Sequence, residues 1–192
     1  IEIMRTAQHA LPLIERLILT DAGGTLRADL PAVPGARGVN LASHEWYQGV
    51  RHNGRPYISS AYTRVVVPRL NIFSVAVPVN NPHGKVMGFL VVQVGVKHLI
   101  EWVGTVDLGP EGFVYIVDSK GQAAFSSREP ERAEMADLSA TPVVEKLRRG
   151  GRGVEIAFDR TEGEDSIAAH AAVPGYGWGI VTQQPARASL GL

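Results

Sequence analysis

The chain has 192 residues, 45% hydrophobic and 20% charged, a composition that excludes wholesale disorder and suffices to bury one or two cores. Nineteen basic residues balance nineteen acidic ones, so no net field draws the chain to nucleic acid or an anionic membrane, and nucleic acid is not an expected partner. Cysteine is absent, which excludes disulfides, thiol catalysis and the usual structural zinc sites.

In chain order, the first strong signal is RLILTDAGGTLRADL, from Arg16. An apolar strand runs into Asp21, which can bond its own turn backbone, then into Gly24, free to take positive φ, and then into a return strand: a hairpin. SHEWYQGVRHNG, residues 43–54, follows as an amphipathic helix from roughly Ser43 to His52, with Asn40 or Ser43 as its cap. At about 100° per residue, Trp46 and Val50 share an apolar face, and His44, Tyr47, Gln48 and Arg51 share the opposite one. That second face is either solvated surface or the polar wall of a pocket. A zinc hydrolase of the H-E-x-x-H type needs its histidines one turn apart, but Gln48 stands where the second would be and His52 lies two turns from His44, so a metal is not expected.

PYISSAY and RLNIFSVAVPV then supply strands, a turn with Asn80, Asn81, Pro82 and Gly84 reverses the chain, and VMGFLVVQVGV forms a long apolar strand too short and too interrupted to span a membrane. KHLIEWV reads as a short helix leading out, and a boundary falls in VGTVDLGPEG near Gly109 and Pro110. FVYIVDSKGQAAFSS, from Phe113, repeats the first hairpin, with Asp118 and Gly121 displaced by 118 − 21 = 97 residues from Asp21 and Gly24. The charged segment SSREPERAEMADL reads as a solvated loop or exposed helix. TPVVEKLRRGG predicts a helix that begins near Thr141 and Pro142 and stops at Gly150. VEIAFDR and IAAHAAVPGYGWGIVTQQP complete a sheet, with Pro174 matching Pro78 at 174 − 78 = 96 and Trp178 expected in the core. Two modules of one α+β architecture follow, each an antiparallel sheet with a short helix over one face. No Ser sits on a nucleophile elbow, and LRRGGRG lacks the strand-then-helix setting of a phosphate loop, so no catalytic residue is assigned.

The ordered motifs G-x-N-L-x-S-H-E-W-Y, Y-I-S, V-A-V-P-V, H-G-K-V-M-G-F-L, G-F-V-Y-I-V-D-S-K-G and G-Y-G-W-G-I-V-T-Q-Q-P resemble the double Cache sensor domain of bacterial chemoreceptors and sensor histidine kinases, over about Leu13 to Pro185. The resemblance implies an extracytoplasmic ligand-sensing domain, periplasmic or extracellular, anchored in a membrane by flanking helices and not itself an enzyme, within a receptor of the histidine kinase or chemoreceptor type. It implies a remnant of a long N-terminal helix at 1–12, a membrane-distal PAS-like module at 13–105, a membrane-proximal one at 106–185 and a segment toward the membrane at 186–192. That N-terminal helix often pairs two subunits, so a homodimer is among the expected states. The distal module is expected to hold a small ligand and no cofactor, with Trp46, Tyr47 and Tyr57 lining the pocket and His44, Ser59, Tyr62, Arg64 and Gln93 completing it. Amino-acid-binding members carry an Arg where this chain has His44 and an Asp where it has Gln93. A buried ammonium without that Asp lacks its acceptor, so the expected ligand is a carboxylate or a neutral polar compound, met by Gln93 and by His44 with Arg51, Arg64 or Arg69. A metal-dependent or hydrolytic enzyme using the His44 region, or a module recognising a partner protein, are the alternatives.

Overall fold

The computed structural model describes residues 2–64, 70–98, 107–109, 111–129, 134–159 and 163–190. The chain divides into two compact units, Ile1–Gly95 and Val96–Leu192. Each is α+β, with one antiparallel sheet of six strands.

The first unit opens with helix α1 (Glu2–Ala10) and the hairpin β1 (Ile14–Asp21) and β2 (Leu26–Leu30). Helix α2 (Glu45–Asn53), β3 (Tyr57–Ile58), β4 (Tyr62–Thr63) and the long pair β5 (Asn71–Asn80) and β6 (Val86–Gly95) follow. The sheet order is β2-β1-β6-β5-β3, with β4 also on β5. Asp21 makes the turn as its residue type predicts: its Oδ1 accepts the N–H groups of Gly23 and Thr25, both at 2.9 Å, and Gly24 takes φ 84°. A Cβ on Gly24 would lie 2.9 Å from the Tyr47 ring, so glycine also lets the covering helix approach the hairpin.

Cross-strand register sorts the sheet into two faces. Ile18 lies opposite Val91, and Val91 opposite Ala76; Trp46, Tyr47 and Val50 of α2 pack on these residues with Leu26 and Phe89. Each such large apolar side chain contributes about 1.5–3 kcal/mol of burial. The other face carries Leu17, Leu90 and Val92 and is covered by Met4 of α1.

Two details of α2 differ from the expectation. Its cap is His44, without a side-chain cap bond, whereas Asn40 spends its side chain on the Ala42 N–H (2.9 Å) and the Gly23 carbonyl (3.1 Å). Tyr47 is not on a polar face but is 2% exposed, because the sheet and hairpin wrap a wider arc of the helix than Trp46 and Val50 alone occupy.

The second unit repeats the plan. A 3-10 turn covers Val96–His98; the rest of the predicted KHLIEWV helix lies outside the described residues, as does Pro110 of the predicted boundary. Strands β7 (Phe113–Val117), β8 (Gln122–Ser126) and β9 (Ala136–Asp137), helix α3 (Pro142–Arg148), strands β10 (Arg152–Asp159), β11 (Glu164–Ala172) and β12 (Gly179–Pro185), and helix α4 (Ala186–Leu190) follow. Their sheet order is β10-β11-β12-β7-β8-β9, so part of the charged segment expected as loop or helix supplies an edge strand. Asp118 repeats the turn chemistry of Asp21, accepting from Lys120 (2.9 Å) and Gln122 (3.0 Å), with Gly121 at φ 87°. The N–H of Leu41 bonds to the Gly24 carbonyl (2.8 Å) and that of Leu138 to the Gly121 carbonyl (2.9 Å), so the two hairpins hold the approach to α2 and α3 in the same way. Val143, Val144 and Leu147 of α3 pack on Tyr115, Val117, Ala168 and Val181, and Trp178 is buried as expected. Among the described residues no helix is long and apolar enough to cross a membrane.

Candidate functional site

The α2-covered face of the first sheet has an apolar end and a polar end. On the apolar end, Trp46 and Tyr47 are core residues: their rings meet edge-on at 5.9 Å, and Tyr47 meets Phe89 edge-on at 5.3 Å. The Tyr47 hydroxyl donates to the Ala22 carbonyl (2.9 Å) and accepts from Arg51 Nη1 (3.4 Å). That bond ties α2 to the first hairpin. Tyr57 lies against the helix backbone at Gly49, where an added Cβ would fall 2.5 Å from three ring carbons. Gly49 is thus the residue that admits Tyr57 beneath α2, and the loss of helix propensity it brings is repaid in packing.

Glu45, in the first turn of α2, is a hub that spacing alone did not single out. Its Oε1 accepts from the Ser60 N–H (2.8 Å) and the Tyr57 hydroxyl (3.2 Å), and its Oε2 accepts from the Ser60 hydroxyl. These bonds pin the β3–β4 segment under the helix. They also commit the Glu45 carboxylate, and among the described residues no three His, Asp or Glu side chains group as a metal would need. Burial and Glu45 together raise the Tyr57 phenol above its ordinary value.

Register carries the same face into its polar end. Arg16 lies opposite Gln93, and Gln93 opposite Ser74, all three buried. Gln93 Nε2 donates to the Tyr62 hydroxyl (3.0 Å), which shares a hydrogen bond with Ser74 Oγ (2.7 Å). Ser59 Oγ accepts from the Ser74 N–H (2.9 Å) and donates to the Ser60 carbonyl (2.8 Å). Arg16 pairs with Asp29, which also accepts the Val33 N–H (2.8 Å). Among the described residues, the buried Arg16 Nε–H donor and Gln93 Oε1 acceptor meet no partner. Burial raises the Tyr62 phenol above its ordinary value, while its bonds to Ser74 and Gln93 and the charges of Arg16 and Arg64 oppose that rise. The phenol is therefore a neutral donor and acceptor at neutral pH.

The residues expected in the site thus fall into three groups. Tyr62, Ser59 and Gln93 form one bonded cluster with Ser74, and Arg64 is close enough to act on Tyr62 electrostatically. Trp46, Tyr47 and Tyr57 belong to the packed apolar end. His44 is exposed, 6.1 Å from the Trp46 ring, and partial desolvation holds its imidazole below the ordinary value, so it carries no permanent charge at pH 7. Arg69 lies outside the described residues. Arg16, Asp29, Glu45 and Ser74 were not anticipated. For Arg16 a signal existed: it shares strand parity with the inward Ile18 and Thr20.

Comparisons with known proteins agree on the fold. The extracellular domain of rpHK1S-Z16, a protein assigned as a histidine kinase, superposes with a TM-score of 0.81 at 19% identity, over 98% of this chain and 78% of that one. The periplasmic sensory domain of the Campylobacter jejuni chemoreceptor Tlp1 superposes with a TM-score of 0.71 at 13% identity, over 98% and 78%. The ligand-binding domain of the Pseudomonas aeruginosa PAO1 amino acid chemoreceptor PctB, in complex with L-Arg, gives 0.69 at 17% identity, over 98% and 81%. A comparison with curated proteins returns no match. The Cache domain family model matches residues 1–191, essentially the full length of both units, and the chain belongs to the Cache domain family.

Proposed function

We propose that the chain is the extracytoplasmic ligand-sensing domain of a membrane-bound signalling receptor, of the histidine kinase or chemoreceptor type, and that its first unit binds a small polar metabolite. A Cache domain senses and does not catalyse. The ligand sits at the polar end of the α2-covered face, held by Arg16, Tyr62, Ser74 and Gln93, with Ser59 and Arg64 beside them and His44, Trp46, Tyr47 and Tyr57 shaping the wall. The observation that carries this reading is the unpartnered pair, Arg16 Nε–H and Gln93 Oε1, on one buried face. Buried polar groups are satisfied in folded proteins, so such a pair marks a place where another molecule completes the bonding.

A donor and an acceptor side by side suit a ligand with an oxygen for Arg16 and an N–H or O–H for Gln93. Asp29 is already paired with Arg16, and two guanidiniums act on Tyr62, so among the described residues this end offers an ammonium no uncommitted carboxylate. The balance supports a carboxylate or a neutral polar compound, such as a hydroxy acid or a carboxamide. The neighbours do not support leaving out amino acids: PctB is in complex with L-Arg and with L-Gln, and PctC in complex with GABA. Amino acids are therefore the competing class. Thermal shift and calorimetric titration against simple acids, hydroxy acids, amides and amino acids test the reading. Saturable binding that Gln93→Leu weakens is the expected result. Binding only to amino acids overturns the ligand class, and binding unaffected by Gln93→Leu overturns the site.

Signalling then requires that the ligand bind one of two states of the domain more tightly than the other, with a coupling typically of about 1–3 kcal/mol.

A further inference from the structure

Granted that the polar end of the first sheet is the ligand site, on which this rests, the charges there also decide what kind of group it holds. Arg16 and Gln93 are 8% and 6% exposed and lie directly opposite each other on neighbouring strands. Their Cβ atoms therefore stand about 4.5–5.5 Å apart. Among the described residues the Arg16 Nε–H donor and the Gln93 Oε1 acceptor meet no partner. The Arg16 guanidinium is nevertheless neutralised, because its Nη2 pairs with Asp29 Oδ2. Nε and Nη2 are held by one carbon in a rigid fork, so a ligand oxygen on Nε–H stands only about 3–6 Å from the Asp29 carboxylate. Arg64, the other guanidinium that acts on Tyr62, is engaged in interactions of its own. The free donor of Arg16 thus comes without a free positive charge.

A carboxylate placed on Nε–H would face Asp29 at close range in a buried setting, where like charges do not both stay ionised without cost. Taking Nε and Nη2 together would require it to displace Asp29, whose side chain is 7% exposed and also accepts the Val33 N–H (2.8 Å). Displacement strands a buried charge and a backbone donor. A carboxylate also brings acceptors and no donor, so it leaves Gln93 Oε1 unsatisfied. We infer that the group bound at this end is an uncharged amide edge, a C=O beside an N–H as in a carboxamide, a urea or a lactam. Its oxygen accepts from Arg16 Nε and its N–H donates to Gln93 Oε1. The acceptor and donor of such an edge are carried by neighbouring atoms, which matches a donor and an acceptor presented by two directly opposed residues. Asp29 is then a specificity-determining residue: it orients Arg16 and repels anions without touching the ligand.

Acids and amides on the same carbon skeleton isolate this one difference. The 192-residue chain is titrated calorimetrically at neutral pH with propionamide against propionate, lactamide against lactate, and benzamide against benzoate. In each pair that binds, the amide should be tighter by about tenfold or more. Asp29→Asn keeps the side-chain shape and an acceptor for Arg16 while removing the charge. It should narrow the ratio about tenfold by admitting the acids, with the fold checked by circular dichroism. Should that variant not fold, the ratio in the parent chain decides by itself. Acids as tight as their amides, no binding by any amide, or an unchanged ratio in folded Asp29→Asn would each overturn the amide edge. A misplaced site gives a different result, since amide affinity would then survive Gln93→Leu, whereas acids that outbind amides and are lost in Gln93→Leu overturn the amide edge and keep the site.

Discussion

Gln93→Leu separates a binding role from a structural one. Among the described residues the Gln93 side chain makes one hydrogen bond, to Tyr62, and its buried Oε1 meets no partner. Replacing it by leucine, of similar volume, loses a bond whose net contribution is about 0.5–1.5 kcal/mol and removes an orphaned acceptor that costs about 1–3 kcal/mol. Tyr62 keeps its bond to Ser74, so no second group is orphaned. The stability of the first unit should therefore hold or rise by up to about 2 kcal/mol. The ligand, by contrast, loses its acceptor, and affinity should fall about tenfold to a hundredfold, since each tenfold is about 1.4 kcal/mol. Urea unfolding followed by circular dichroism reads the first quantity, and calorimetric titration the second. A variant destabilised by more than about 1 kcal/mol that binds as tightly as the parent would refute the reasoning.

Glu45→Ala orphans the buried Ser60 N–H and hydroxyl and should destabilise the first unit by about 2–4 kcal/mol, with hydrogen exchange rising first across residues 57–63; parental stability would remove the hub assignment. Gly49→Ala gains about 1 kcal/mol of helix propensity but drives Cβ into the Tyr57 ring. The net effect should be destabilising, and Tyr57→Ala should relieve it in a double-mutant cycle. Asp21 titrates below its ordinary 3.8, chiefly because the Thr25 N–H bonds its carboxylate. Its contribution is complete above that value and is lost as pH falls through the lowered one, so Asp21→Asn should lower stability at neutral pH and flatten the acid limb, the two proteins converging at low pH in urea unfolding followed by circular dichroism.

Local chemistry made much of the fold legible. The Asp21 and Asp118 turns close through bonds spanning at most four residues, the end of α3 follows from a Pro-then-Gly pattern, and alternation within each strand depends on nearest neighbours. The paired modules could be read from the 97-residue displacement for the same reason, because each anchor carries its own turn. The arc of α2 that is buried was not legible. The hairpin that covers Tyr47 lies far away in sequence, and a helical wheel contains no information about it.

The polar end of the site stands on non-local register. A bulge between Ile14 and Arg16 resets β1 against β6, and only that pairing brings Arg16 beside Gln93 and Ser74. Residue order alone therefore determined two kindred α+β units and the kind of side chain available to a ligand. Tertiary structure decided which of those side chains meet, since strands distant in the chain choose their register through the packing of whole faces.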